Sequence, residues 1–174
     1  MKKIILIILA IITIYSLANT VGAEEVIIPD TAIRLRVIPN SNSTFDQEIK
    51  KEVKTYLEDN VYTMFSKVNN IEEAREKIKN EIPNIEKEIK NIFIDNDYDM
   101  NFRVNYGMNY FPEKNYKGIV YEEGYYESLV VEIGQAKGDN WWCVLFPNLC
   151  LLDNQSTDDA EYKIGVMELL NKIF

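Results

Sequence analysis

Both cysteines and both tryptophans of the chain fall in one block, Trp141-Trp142-Cys143-Val144-Leu145-Phe146-Pro147-Asn148-Leu149-Cys150. A cysteine pair can ligate a metal, cycle between redox states or close a disulfide. A structural zinc site needs four ligands, and the chain has no histidine and no third cysteine. The spacing is not Cys-x-x-Cys, which disfavours redox catalysis. That leaves a disulfide between Cys143 and Cys150, with two free thiols as the alternative. A continuous strand would hold residues seven apart at roughly 23 Å. Bridged Cα atoms lie about 4.4–6.8 Å apart, so the chain must fold back, and Pro147-Asn148 is the place for it. Such a loop contributes about 2–3 kcal/mol on the chain-entropy model.

Other chemistry is hard to assemble. Without histidine there is no Ser-His-Asp or Cys-His relay. Asp95, Asp97 and Asp99 imitate the start of a calcium loop, but the sixth place is Met100 instead of glycine and the twelfth, Tyr106, carries no carboxylate. Asp30-Thr31-Ala32 is half of an aspartic-protease signature, without its glycine and without a second copy. With 28 acidic residues, a chance carboxylate pair for glycoside hydrolysis carries little information. No glycine loop is present to cradle phosphate, so no cofactor or metal is expected. A net charge of −9 with no basic patch evident along the chain opposes nucleic acid. Arg34, Arg36 and Arg103 are three of four arginines. Arg34 and Arg36 share a strand face, where cross-strand pairing with acids such as Glu132 competes with a patch that reads a partner. The adjacent Trp141 and Trp142 point to opposite faces of a strand, as packing anchors or as one anchor and one outward contact residue.

The elements that must position these residues follow from periodicity. Lys2-Lys3, the apolar run Ile4 to Ala18 and the small residues Val21-Gly22-Ala23 form a secretory signal pattern, with cleavage after Ala23 or retention as an anchor. Cleavage would leave 151 of the 174 residues and, with two lysines gone, move the net charge from −9 to −11. A linker, 24–30, precedes a single domain, 31–174. Residues 32–38 alternate as a strand. Thr44 with Gln47 has capping-box spacing, and a helical stripe runs from Phe45 to Val68. Asn70 with Glu73 caps a second helix as far as Pro83, which either starts a third helix or kinks the second. From Tyr98 the period becomes two, with strands through 102–106 and at about 117–121, 125–134 and 141–146, Glu122-Glu123-Gly124 making a hairpin turn between two of them. A closing helix is read from about Asp158 to Phe174. The fold class is α+β, a mainly antiparallel sheet with two to three helices between the first and second strands and a C-terminal helix.

Residues 32–43 followed by Asp46-Gln47, then Tyr110-Phe111-Pro112, Gly124-Tyr125-Tyr126-Glu127 and the run from Gly138 to Cys150, closely resemble the stage II sporulation protein R family. The resemblance extends from about residue 31 to the final helix. It implies a protein made in the forespore and exported into the space between the two membranes. There it activates a membrane-embedded aspartic protease, which processes the precursor of sigma-E in the mother cell. It implies a trigger and not an enzyme, near a membrane through its partner or an uncleaved signal segment. Family-motif or contact residues would be Arg34, Arg36, Asn40, Ser41, Phe111, Pro112, Asn140, Trp141, Trp142 and Pro147, beside the Cys143–Cys150 loop. Arg36 replaces a family histidine, Pro39 an alanine, Glu122-Glu123-Gly124 a Pro-Ala-Gly turn, and Asn96 a glycine for which Asn is the next-best left-handed residue. The Arg36 exchange weakens a recognition role for the first strand itself. The competing readings are an extracytoplasmic hydrolase using acidic residues, which needs a carboxylate pair in a deep cleft, and a passive envelope module.

Overall fold

The computed structural model describes residues 26–29, 31–65, 68, 70–116, 119–150 and 166–172. The signal segment and the first half of the expected closing helix lie outside the described residues. Strand β1 is Val26–Ile27, followed by β2, Ile33–Ile38. Helices α1, Thr44–Phe65, and α2, Ile71–Asp95, come next. Then follow β3, Phe102–Phe111; β4, Lys114–Tyr116; β5, Ile119–Tyr121; β6, Gly124–Ile133; β7, Trp141–Phe146; and helix α3 over 166–172. The main sheet has the order β3-β6-β2-β7 and is mostly antiparallel; its one parallel pair is β2 with β6. The expected α+β class is the one observed.

β2 is an inner strand, flanked by β6 and β7, and both its faces are covered. Ile33, Leu35 and Val37 are fully buried against the α1 stripe Ile49, Val53, Leu57 and the α2 stripe Ala74, Ile78, Ile85, Ile89. The α2 stripe keeps one face on either side of Pro83, so α2 is a single helix with proline inside it and no third helix begins there. Helix α1 is capped one residue earlier than expected: the Asp46 amide donates to Ser43 Oγ (3.1 Å), making Ser43 the cap in place of Thr44. Asn70 caps α2 as read, accepting from the Glu73 amide at 2.9 Å.

The end of α2 differs in one residue from the sequence reading. Asn96 has φ −103°, and the left-handed position is Asp97, φ 49°. The Tyr98 amide donates to Phe93 O (2.8 Å) and the Asp97 amide to Ile94 O (3.2 Å), while the Tyr98 and Phe93 rings meet edge to face at 4.9 Å. This is a Schellman stop with its apolar clasp, so the Asp95-Asp97-Asp99 run ends a helix.

The second sheet, in the order β1-β5-β4, is what sequence reading did not anticipate. Glu122-Glu123-Gly124 does not turn a hairpin. It carries the chain from β5, which pairs with β1 and β4, into β6, which pairs with β2 and β3. The true long-range partner of β6 is β3, in register from Phe102 opposite Ile133 to Phe111 opposite Gly124, and β4-β5 is an excursion inside that pair. Ile28, Tyr121, Val144, Leu149 and Val166 of α3 form a separate core with Trp142 packed against it. The face of β2 that carries the arginines is therefore covered and not solvated.

Candidate functional site

The covered face is built around two arginines in different settings. Arg34 is 1% exposed, its guanidinium 3.2 Å from the centre of the Tyr126 ring and 5.7 Å from those of Phe111 and Tyr121. Glu132 pairs across strands with Arg103 instead, Nε donating at 2.8 Å. Arg34 is thus an interior cation in an aromatic cage, which the sequence reading placed on an open face. Arg36, two residues on, reaches the rim. It lies 5.5 Å from the Trp142 ring and 5.6 Å from Phe111, and Nη1 donates to Tyr110 O at 3.4 Å. With the Asn140 amide turned so that its oxygen faces Arg36, that oxygen accepts from Nε (3.2 Å) and Nη2 (2.7 Å), and its nitrogen donates to Gly138 O (3.0 Å). Burial pulls Arg36 below the ordinary guanidinium value, and the charge of Glu132 opposes that pull.

A polar lock fixes this corner. Asp46 Oδ2 accepts from Ser41 Oγ (2.5 Å) and Asn40 Nδ2 (3.0 Å), and Oδ1 accepts from the Tyr98 hydroxyl (2.5 Å). Burial alone would raise the Asp46 pKa; hydrogen bonds from Ser41, Tyr98, Asn40 and Ser43 outweigh it and lower it to about 2. The same turn clamps the loop before β7. Asn40 Oδ1 accepts from the Gln135 amide (3.0 Å), Asn42 Oδ1 from the Asp139 amide (2.6 Å), and Pro39 O from the Gly138 amide (3.0 Å). The packing is close enough that a Cβ on Gly138 would lie 2.2 Å from Ser41 O. Asn40 and Ser41 are thus positioning residues for the segment that ends in Asn140 and Trp142.

At the other end of β7 the chain folds back through Pro147-Asn148, and Cys143 and Cys150 are bonded, with Cα atoms 5.4 Å apart. The expected disulfide is present, and Pro147 is buried in its turn in cis. Trp141 and Trp142 take opposite faces as strand parity requires. Trp141 packs with the helical core, with Lys54 Nζ 5.4 Å from its ring; Trp142 stacks edge to face with Phe111 at 5.1 Å. Both indoles are half-buried. Pro112 is exposed just beyond β3.

Between α1 and the start of β7 lies a groove of about 380 Å³ lined by Gln47, Lys50, Lys51, Lys54, Lys114, Asn140 and both tryptophans. Lys114 Nζ stands 4.8 Å from the Trp142 ring, and Lys50 donates to Gln47 Oε1 (2.5 Å) and Asp139 O (2.9 Å). Burial lowers the pKa of Lys114, and the charges of Arg36 and Lys50 lower it further against Asp139. Burial does the same to Lys50, with Lys54 adding to it and Asp139 opposing. The lysines were missed in the sequence. Lys50 and Lys54 at i,i+4 give a helix-face signal, but nothing local connects Lys114 to them. Four of the ten candidate contact residues, Arg36, Phe111, Asn140 and Trp142, meet at one corner, with Trp141 across the groove. Among the described residues no group of three or more His, Cys, Asp and Glu is placed to hold a metal ion, and no helix is long and apolar enough to cross a membrane.

The family model for stage II sporulation protein R matches residues 29–156. The chain belongs to the stage II sporulation protein R family. Stage II sporulation protein R of Bacillus subtilis (strain 168) is 38% identical over 130 residues, 75% of this chain and 58% of that relative. The chain thus spans less than two thirds of the length of the curated relative it matches. No solved structure matches it. The family stretch contains the lock, the Arg36 corner and the disulfide, whereas α3 lies beyond it. Membership assigns the chain a role in sporulation.

Proposed function

We propose that this chain is an exported signal of sporulation that activates a membrane-embedded aspartic protease by contact, leading to processing of the sigma-E precursor in the mother cell. In this reading residues 1–23 direct export across the forespore membrane into the intermembrane space, 24–30 are a linker, and 31–174 form one domain. The protein is the trigger and the protease supplies the chemistry.

The observation that supports this reading is the corner itself. Residues from separate family motifs, Arg36 of β2 and Phe111 of β3, converge on the half-buried Trp142 indole of β7, and Asn140, just before β7, holds Arg36. A disulfide holds one side and the Asp46 lock the other. Rigid aromatic anchors presented with little entropy left to lose are suited to recognition. The test is reconstitution of the protease in lipid with its precursor substrate, with and without the full exported chain. The chain is expected to raise precursor cleavage, and Trp142→Ala to lower that gain more than it lowers the melting temperature. No gain over lipid alone refutes the proposal. Equal loss of folding and signalling would make Trp142 a core residue and move the contact elsewhere.

A further inference from the structure

Helix α1 sorts its charges by face. Lys50, Lys51 and Lys54 line the groove toward β7, while Glu48, Glu52 and Asp59 line the opposite groove, toward α2. Lys51 reaches both. The β4 strand then brings Lys114 to the same groove, and Arg36 stands behind it. In a chain of net charge −9, folding has gathered at least four ammonium groups around about 380 Å³. Among the described residues Glu58 pairs with Lys54 at 3.4 Å, and Asp139 acts on both Lys50 and Lys114. Burial lowers the pKa of Lys50 and of Lys114, and neighbouring cations lower both further, so the groove holds these ammonium groups close together and partly withdrawn from water.

The rest of the lining speaks in the same sense. Lysine ammonium groups are donors only. The occupant must therefore supply acceptors and negative charge, along with a surface to lie against the accessible parts of two half-buried indoles, whose Nε1 atoms are themselves buried. β7 is the last strand of its sheet and pairs only with β2 among the described residues; the Leu149 amide of the fold-back takes Val144 O at 3.1 Å, so the groove meets β7 at its Trp141–Trp142 end. A concave trough beside a strand edge suits a peptide better than a flat bilayer.

We infer that the groove between α1, β4 and the start of β7 binds an acidic extended segment of a partner protein, with carboxylates on Lys50, Lys51, Lys54 and Lys114 and its backbone beside Trp141 and Trp142. This rests on the reading of that corner as the contact surface and names the chemistry of what it contacts.

The test uses the full exported chain. Labelled hexaglutamate is titrated in, with hexaglutamine as the neutral control and phosphatidylglycerol vesicles as the lipid arm. Hexaglutamate binds, hexaglutamine does not, and Lys50→Glu with Lys114→Glu weakens binding by about tenfold or more. The neutral pair Lys50→Gln with Lys114→Gln shows an intermediate loss, and this second variant decides the matter should circular dichroism find the charge-reversed one unfolded. Vesicle binding that depends on these lysines while hexaglutamate does not bind overturns the inference in favour of a membrane surface. Failure of hexaglutamate to bind, or equal binding by wild type and both variants, also overturns it. Protease activation measured on the same proteins separates the two proposals. Activation that persists unchanged in the charge-reversed variant sinks the acidic-segment inference and leaves the trigger reading intact; no activation by wild type sinks the trigger reading itself.

Discussion

Asp46→Asn tests whether the lock under the candidate site stores the energy its geometry implies. The wild-type carboxylate is buried and accepts from Ser41, Asn40 and Tyr98, which lowers its pKa from 3.8 to about 2. A shift of nearly two units corresponds to about 2 kcal/mol of stability. Because the folded-state value is depressed, that contribution is fully present above the unfolded value of 3.8 and is lost as pH falls through about 2. Asparagine removes the charge and turns an NH2 group toward donors, so at neutral pH the variant is expected to lose about 2 kcal/mol and roughly 4–8 °C in melting temperature. Urea titrations of wild type and variant across the acid range are the assay. Their difference isolates Asp46 from the other carboxylates, and it is expected to shrink between about pH 4 and pH 2. Equal stability at neutral pH would show that the lock carries no net energy. A gap that does not narrow in acid would show that the carboxylate charge is not its source. Since Asn40 also holds the loop that ends at Asn140, the variant should in addition alter tryptophan fluorescence.

Gly138→Ala drives a Cβ to 2.2 Å from Ser41 O, a backbone atom that cannot step aside, so thermal denaturation should show a loss of about 2–3 kcal/mol; a wild-type melting temperature would contradict the clamp. Cys143→Ser with Cys150→Ser should cost about 2–3 kcal/mol, matched by reduction of the wild type, and a reductant that leaves urea stability unchanged would count against a structural role for the bond.

What could be read before the structure was local. The stripes of α1 and α2, the Asn70 cap, the parity of Trp141 and Trp142 and the fold-back at Pro147 all follow from interactions within a few residues. What could not be read was partner choice. Glu122-Glu123-Gly124 has hairpin chemistry, but β6 gains ten register pairs with β3 and five with β2, and β5 is claimed by β1 and β4. That misassignment hid the second sheet, and with it the burial of Arg34: alternation puts Arg34 and Arg36 on one face but says nothing about what lies over that face. Pro83 misled for another reason. Its local cost of roughly 3 kcal/mol is outweighed by the burial of Ile78, Ile85 and Ile89 on one continuous stripe.

If the groove takes an acidic segment, an acidic chain binds an acidic partner, and charge distribution rather than net charge explains how. At physiological ionic strength the Debye length is about 8 Å, so an approaching ligand feels the overall −9 only weakly until it is within a few ångströms of the surface. Inside the groove the balance reverses, because Lys50, Lys51, Lys54 and Lys114 surround a site partly withdrawn from water, where each charge is screened less than on an open face. An acidic chain can therefore repel polyanions such as nucleic acid, whose charge extends over many Debye lengths, and still hold a short acidic segment whose charge fits within one trough. Selectivity of that kind comes from the size of the positive patch relative to the negative surround. It depends on β4 bringing Lys114 to the groove that Lys50, Lys51 and Lys54 of α1 line, a juxtaposition of residues about sixty positions apart in the chain.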